Sequence, residues 1–222
     1  MDIEANVRDV NRRIERACER SRRSPDEVTL VAVTKGVETS AIRAAFDSGI
    51  RDFGENRVQE AEGKIAQLSD LKPAVTWHMV GHLQSNKAKA AVELFDIIHS
   101  VDSVRLAEIL SRRAQKTLPV LLEVNVSGEA TKGGFSAGET EAAVKEIKQL
   151  PNLKLMGLMT VAPVTTEPEA VRPVFRKLRE LRDSLGLKHL SMGMTDDFEV
   201  AIEEGTTMLR IGRAIFGERR QQ

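Results

Sequence analysis

Tyrosine is absent from this chain, and cysteine occurs once, as Cys18. One cysteine excludes an intramolecular disulfide and a cysteine-rich metal site. Neither sign of charge is in excess: 33 lysines plus arginines face 33 aspartates plus glutamates. No net field therefore draws the chain toward nucleic acid or a membrane surface. There is no apolar run long enough for a membrane span. The acidic start, Met1-Asp2-Ile3-Glu4, is unlike a signal peptide, so a cytoplasmic protein is the expectation. Internal repeats, low-complexity tracts and Pro/Gly/Ser-rich linkers are missing too. These absences leave a single globular domain over 1–222, 41% hydrophobic and with a sizeable core.

What is present is a regular alternation of periods. Ile3, Val7, Val10, Ile14 and Ala17 recur at steps of four and three among many charges, so residues 1–24 read as an N-terminal helix packed on the domain and ending near Ser24-Pro25. From Val28 onward, strand patterns cover 28–35, 51–56, 75–81, 97–101, 119–126, 153–161, 189–194 and 207–212. Helical patterns fill the gaps at 39–48, 57–67, 84–94, 103–115, 137–149, 167–185 and 197–204. Thr39 and Ser103 suit N-caps, and Gly49, Gly186 and Gly205 suit helix stops. Strands alternating with helices imply parallel pairing through right-handed crossovers. A count of eight favours a (β/α)8 TIM-type barrel over a doubly wound open sheet, the competing arrangement.

Three features converge on the carboxyl ends of those strands. Ser191-Met192-Gly193-Met194-Thr195-Asp196-Asp197 offers hydroxyls, an unhindered glycine backbone and a helix start, as a phosphate site requires. Arg210-Ile211-Gly212-Arg213 adds a second glycine between cations. Lys35 closes the first, β-branched strand, where burial would make its amine a nucleophile toward an aldehyde. On its own segment a solvent-facing lysine is the commoner arrangement. The phosphate and lysine clusters alone also suit a barrel enzyme acting on a phosphorylated sugar.

Other motifs carry less. Asp196-Asp197 lacks a histidine partner, and His78 and His82 straddle Gly81 at a strand end, so no metal site is expected. Lys87 and Lys89 read as a solvated helix face, with a second anion or a transferred cofactor as the alternative. Met156, Met192 and Met194 read as core, and Cys18 as inert. Lys132-Gly133-Gly134-Phe135 reads as a mobile loop after the fifth strand.

Several stretches match a known family in order along nearly the whole chain. They are Val31-Ala32-Val33-Thr34-Lys35, Asp52-Phe53-Gly54-Glu55-Asn56-Arg57-Val58-Gln59-Glu60 and Trp77-His78-Met79-Val80-Gly81-His82-Leu83-Gln84-Ser85-Asn86-Lys87. They continue with His99-Ser100-Val101-Asp102-Ser103, Met156-Gly157-Leu158-Met159-Thr160, Leu190-Ser191-Met192-Gly193-Met194 and Arg210-Ile211-Gly212-Arg213. The chain resembles the pyridoxal 5′-phosphate (PLP) homeostasis proteins, relatives of the alanine racemase barrel domain. The resemblance implies a fold-type III barrel holding PLP as a Schiff base on Lys35. It implies phosphate contacts from Ser191, Gly193, Thr195, Gly212 and Arg213, with Arg210 facing the pyridine nitrogen and Asn56, His78 and Met159 around the ring. Thr195 stands where the family usually has serine, and it keeps the hydroxyl.

The implied role is vitamin B6 homeostasis as a monomer, with PLP-dependent apoenzymes as recipients and no catalytic residues. The alternative is an amino-acid racemase. An arginine beside the pyridine nitrogen disfavours its protonation and weakens the ring as an electron sink. Racemisation also needs a base on each face of the α-carbon. In alanine racemase a tyrosine from a second domain serves one face. This sequence has no tyrosine and only a few residues after its eighth strand pattern, so little or no racemase activity is expected.

Overall fold

The computed structural model describes residues 2–129 and 131–218. Among the described residues nine strands follow one another: β1 (Thr29–Val33), β2 (Asp52–Glu55), β3 (Thr76–Met79), β4 (Ile97–Val101), β5 (Leu118–Asn125), β6 (Phe135–Ser136), β7 (Leu153–Met159), β8 (His189–Ser191) and β9 (Met208–Ile211). Every pairing is parallel, in the order β4-β3-β2-β1-β9-β8-β7-β5, and a β4–β5 pairing closes the ring. The result is the expected eight-stranded (β/α)8 barrel. β6 lies outside the ring as a two-residue addition to β5, in the loop that follows it.

The helices are α1 (Ile3–Ser21), α2 (Thr39–Asp47), α3 (Val58–Gln67), α4 (Ala88–Leu94), α5 (Val104–Arg113), α6 (Thr140–Ile147), α7 (Arg172–Ser184), α8 (Phe198–Glu203) and α9 (Arg213–Phe216). Ser103 caps α5, accepting from Leu106 N–H at 3.2 Å. Thr39 is not an N-cap: it is the first residue of α2, and Glu38 before it makes no side-chain cap. Gly49, Gly186 and Gly205 follow helix ends at positive φ, as expected. The 84–94 and 167–185 patterns each open with a 3-10 turn, Ser85–Lys87 and Pro168–Val171.

Several strands stop earlier than their patterns suggested. Lys35 is not in β1, because Thr34-Lys35-Gly36 turns back, with Val37 N–H on Thr34 O at 2.9 Å and Gly36 at φ 70°.

α1 packs on the outside of the barrel against α2, α8 and α9. Its seam of Val7, Val10, Ile14 and Ala17 is buried, and Cys18 lies in the same contact. Burial pushes the Cys18 thiol up, which suppresses its thiolate. Asn6 Nδ2 donates to Ile215 O at 2.9 Å, and an Arg23 guanidinium N–H donates to Ile202 O at 2.9 Å. α9 has four residues, so α1 supplies the outer-ring helix that the last strand lacks.

Two apolar regions hold the fold. The larger lies between strands and helices and includes Phe53, Trp77, Phe95, Phe175 and Phe198. The smaller, inside the barrel, joins Leu121, Met159 and Met208, with Ile97 and Met156 packed on it. Each fully buried side chain of this size contributes roughly 1.5–3 kcal/mol. The interior also carries a polar layer.

Candidate functional site

The turn after β1 presents Lys35 on the carboxyl rim. Its side chain is half-buried and has no hydrogen bond or ion pair with a described residue. The backbone on either side is clamped. Lys64 Nζ, from α3, donates to Thr34 O at 2.5 Å, and Glu60 accepts Gly36 N–H at 2.5 Å. Lys64 also pairs with Glu55 at 2.8 Å and Glu60 at 2.6 Å. Thr34 Oγ1 donates to the same Glu55 oxygen at 2.5 Å. Burial raises the Glu55 carboxyl despite its bonds to Lys64 and Thr34. Burial also acts to raise Glu60, but its bonds to Lys64 and Gly36 N–H outweigh that and lower it. The neighbouring carboxylates are thus engaged by Lys64, and the Lys35 ammonium is left free of them.

Arg210 projects from β9 with 5% exposure, among neutral groups. It donates to Ser191 Oγ at 2.5 Å and to Thr160 O at 2.7 Å. Among the described residues it forms no ion pair; burial pushes it down to about 10, against the pull of the more distant Asp197 and Glu123. It remains cationic at neutral pH, with N–H groups to spare. Ser191 Oγ also lies 2.8 Å from His99 Nδ1, whose Nε2 is 2.9 Å from His78 Nδ1. His78 Nε2 in turn is 2.9 Å from Asp52 Oδ1. Burial, with His78 and Arg210 beside it, holds the His99 imidazole well below its ordinary value, hence neutral.

The loops after β8 and β9 meet at the rim. Gly193 has φ 95°, and a Cβ there would lie 2.6 Å from Ala201 Cβ, so only glycine brings the backbone this close to α8. Asp197 fixes the turn by accepting Met194 N–H at 2.6 Å. Thr195 Oγ1 accepts Ala214 N–H at 3.3 Å, and Arg213 pairs with Asp196, so the two loops are tied together. A Cβ on Gly212 would stand 3.1 Å from Val33 O, which brings this rim against the end of β1. At the start of α9, Ala214 N–H is taken by Thr195 Oγ1 and Ile215 N–H by Gly212 O at 3.0 Å, which leaves the Arg213 N–H without a hydrogen bond among the described residues.

Asn56 follows β2 half-buried, its Oδ1 buried without a partner. His78 is wholly buried and already bonded to Asp52 and His99. Met159 is packed with Leu121 and Met208 in the interior cluster. Ser191 is wholly buried and already engaged by Arg210 and His99. His82 meets Asp102 at 3.1 Å, not His78. Lys87 ends a 3-10 turn and Lys89 lies on α4. Lys132 Nζ bonds Glu129 at 2.6 Å and Val161 O at 3.2 Å, which draws its loop toward the end of β7. Among the described residues no three His, Cys, Asp or Glu side chains are grouped to hold a metal ion.

Sequence reasoning gave no role to His99, Asp52, Glu55, Glu60 or Lys64. Alternation along β4 points His99 inward with Ile97, and that was the available signal. Glu60 and Lys64 are four apart, a spacing shared by countless exposed helix pairs.

The Alanine racemase, N-terminal domain family matches residues 4–220. The pyridoxal phosphate homeostasis protein of Aquifex aeolicus is 46% identical over 217 residues, 94% of each chain. PipY of Synechococcus elongatus PCC7942, solved with PLP bound, superposes with a TM-score of 0.81 at 39% identity, over 92% of this chain and 100% of that one. Alanine racemase from Corynebacterium glutamicum gives a TM-score of 0.74 at 18% identity, over 98% of this chain and 61% of the racemase, a likeness of fold alone.

Proposed function

Because the chain belongs to the pyridoxal phosphate homeostasis proteins, built on the alanine racemase N-terminal domain, we propose that it binds PLP and serves the homeostasis of that cofactor. The observation that carries this reading is one barrel rim joining an unpaired half-buried lysine to two glycine loops, above a buried arginine with donors to spare. The donor set fits the cofactor: an amine for an aldehyde, backbone and hydroxyl groups for a phosphate, and a guanidinium for a ring nitrogen. When bound, PLP supplies an electrophilic aldehyde and an electron-withdrawing ring.

In this reading Lys35 is the attachment residue, a Schiff-base lysine whose amine is bonded to no carboxylate among the described residues. Thr195 and the backbone of Gly193, Gly212 and Arg213 receive the phosphate at the tied loops. Ser191 acts beneath them, through Arg210. Arg210 donates to the ring nitrogen and, staying cationic, keeps a proton off it. Asn56, whose Oδ1 is buried without a partner, would lie beside the ring, with His78 and Met159 near it.

The protein holds and releases the cofactor rather than turning over amino acids. Its sequence has no tyrosine to serve as a second base, and Arg210 weakens the ring as an electron sink. It works as a cytoplasmic monomer that passes PLP to apoenzymes. No helix among the described residues is long and apolar enough to cross a membrane.

The test incubates PLP-loaded protein with L-alanine and other L-amino acids and follows D-isomers by chiral chromatography. In parallel it measures activation of an added PLP-dependent apoenzyme. Activation without D-isomer is expected. Racemisation at about 1 per second or faster, an ordinary enzymatic rate, contradicts the binding role.

A further inference from the structure

His78, His99 and Ser191 link the Asp52 carboxylate to the Arg210 guanidinium in one hydrogen-bonded path across the barrel interior. The three linking residues are each 0% exposed, so bulk water does not reach them. A guanidinium has only donors, and an ionised carboxylate only acceptors. The two ends therefore set the direction of everything between them. One assignment gives every atom on the path a partner. Arg210 donates to Ser191 Oγ, and the Ser191 hydroxyl donates to His99 Nδ1. His99 Nε2–H then donates to His78 Nδ1, and His78 Nε2–H to Asp52.

The reverse assignment fails at both ends. It sets a bare His78 nitrogen against the Asp52 carboxylate unless His78 takes a second proton. It leaves the Ser191 hydroxyl hydrogen with no acceptor among the described residues. A cationic His78 would also place a second positive charge in the buried layer that already holds Arg210, and buried charges are costly to add.

We propose that Asp52, His78, His99 and Ser191 are positioning residues for Arg210: their path runs in one direction, locks both histidines as neutral Nε2–H tautomers, and pins the guanidinium by one edge. What the guanidinium is pinned for rests on the reading above, in which its remaining N–H groups serve a ring nitrogen. The path itself belongs to the chain without ligand. Ser191 is central to it, since its single hydroxyl accepts from the cation and donates to the imidazole. A buried cation with no ion pair keeps its spare donors for an incoming acceptor, whereas a carboxylate partner would consume them.

The test uses the full chain without PLP, with labelled nitrogen, and heteronuclear NMR of the side chains. Triple-resonance assignment identifies the two rings without any substitution. Expected are protonated Nε2 and bare Nδ1 in both rings, with a coupling across the hydrogen bond from His99 Nε2 to His78 Nδ1. An Nδ1–H tautomer or a cationic ring at either position overturns the proposal. The pinning is read on the Arg210 guanidinium nitrogens, whose two terminal signals are expected to be separate in the native protein. In Ser191→Ala they should merge as the group rotates, and Ser191→Thr should restore them. Separate signals in Ser191→Ala overturn the positioning role. If Ser191→Ala does not fold, the tautomers of the native chain decide alone. Failure of PLP to bind leaves these signals as they are, so the two readings fail separately.

Discussion

Lys35 and Arg210 stand near the carboxyl ends of two neighbouring strands, β1 and β9, and are held in opposite ways. Lys35 is fixed by its backbone: Lys64 and Glu60 grip the peptide groups before and after it, and its amine is free. Arg210 is fixed by its head, through Ser191 and the Thr160 carbonyl. Charged groups surround the first, and neutral groups bond the second. The difference follows from the work each is given. A residue that must form and break a covalent bond needs a mobile head on a rigid base. A residue that recognises one ring atom needs a head that does not move. Coulombic clamping suits the turn, where Glu60 and Lys64 reach partial solvent. In the interior it would consume the donors that recognition requires.

The largest effect expected concerns the tied loops rather than either residue. Pyridoxal, which lacks the phosphate, should bind far more weakly than PLP. A charge-assisted hydrogen bond contributes about 1.5–3 kcal/mol, so losing two or more should cost at least about 100-fold in Kd. Equal affinities by titration calorimetry would contradict the placement of the phosphate at Gly193–Thr195 and Gly212–Arg213.

The clamp under Lys35 is next. Lys64→Met leaves Glu55 and Glu60 without their cation, and breaking a partly buried pair in this way costs about 3–5 kcal/mol at the buried limit. The value should fall toward the low end, because Glu60 is partly exposed. Urea denaturation checks this. It should also slow the reaction of Lys35 with PLP, since the turn that presents the amine is loosened. A variant as stable as the native chain would sink the clamp.

The smallest effect is a pH slope that separates the two regions. The His99 imidazole has a folded pKa well below the ordinary value near 6.5, because of burial and the adjacent His78 and Arg210. Its contribution to stability is complete above the unfolded pKa and is lost as pH falls below about 6.5. His189 is lowered in the same sense by burial and Lys188, so the native chain carries both contributions. His99→Asn should flatten part of the stability slope between about pH 6.5 and 5. Glu60 on the Lys35 side is lowered as a carboxylate, so its contribution holds above about 4.3 and falls only in stronger acid. An unchanged slope in His99→Asn would mean that His99 is not buried neutral.

The barrel was legible because eight strand patterns alternate with seven helical ones, and that count favours a closed barrel over a doubly wound sheet. Boundaries were less legible. The run Val28–Lys35 looks continuous, yet Gly36 at positive φ lets Thr34-Lys35-Gly36 fold back, and one glycine in a sequence does not announce which way it turns. α9 is too short for any period to register, and β6 exists only because Phe135 meets Val124. At the site, Lys35 and the glycine loops stand out as local motifs. The path from Asp52 to Arg210 does not, because each of its members comes from a different part of the chain and only the closed ring makes them neighbours.

The most direct test of the account is chemical trapping on the native protein. PLP-loaded chain is reduced with borohydride, digested, and its pyridoxyl-bearing peptides are mapped by mass spectrometry. The account predicts loss of the visible absorption band and a single reduced adduct on Lys35, with Lys35→Ala giving neither. An adduct on Lys87, Lys89 or Lys132 with Lys35 unmodified, or a reducible band that survives in Lys35→Ala, would contradict it.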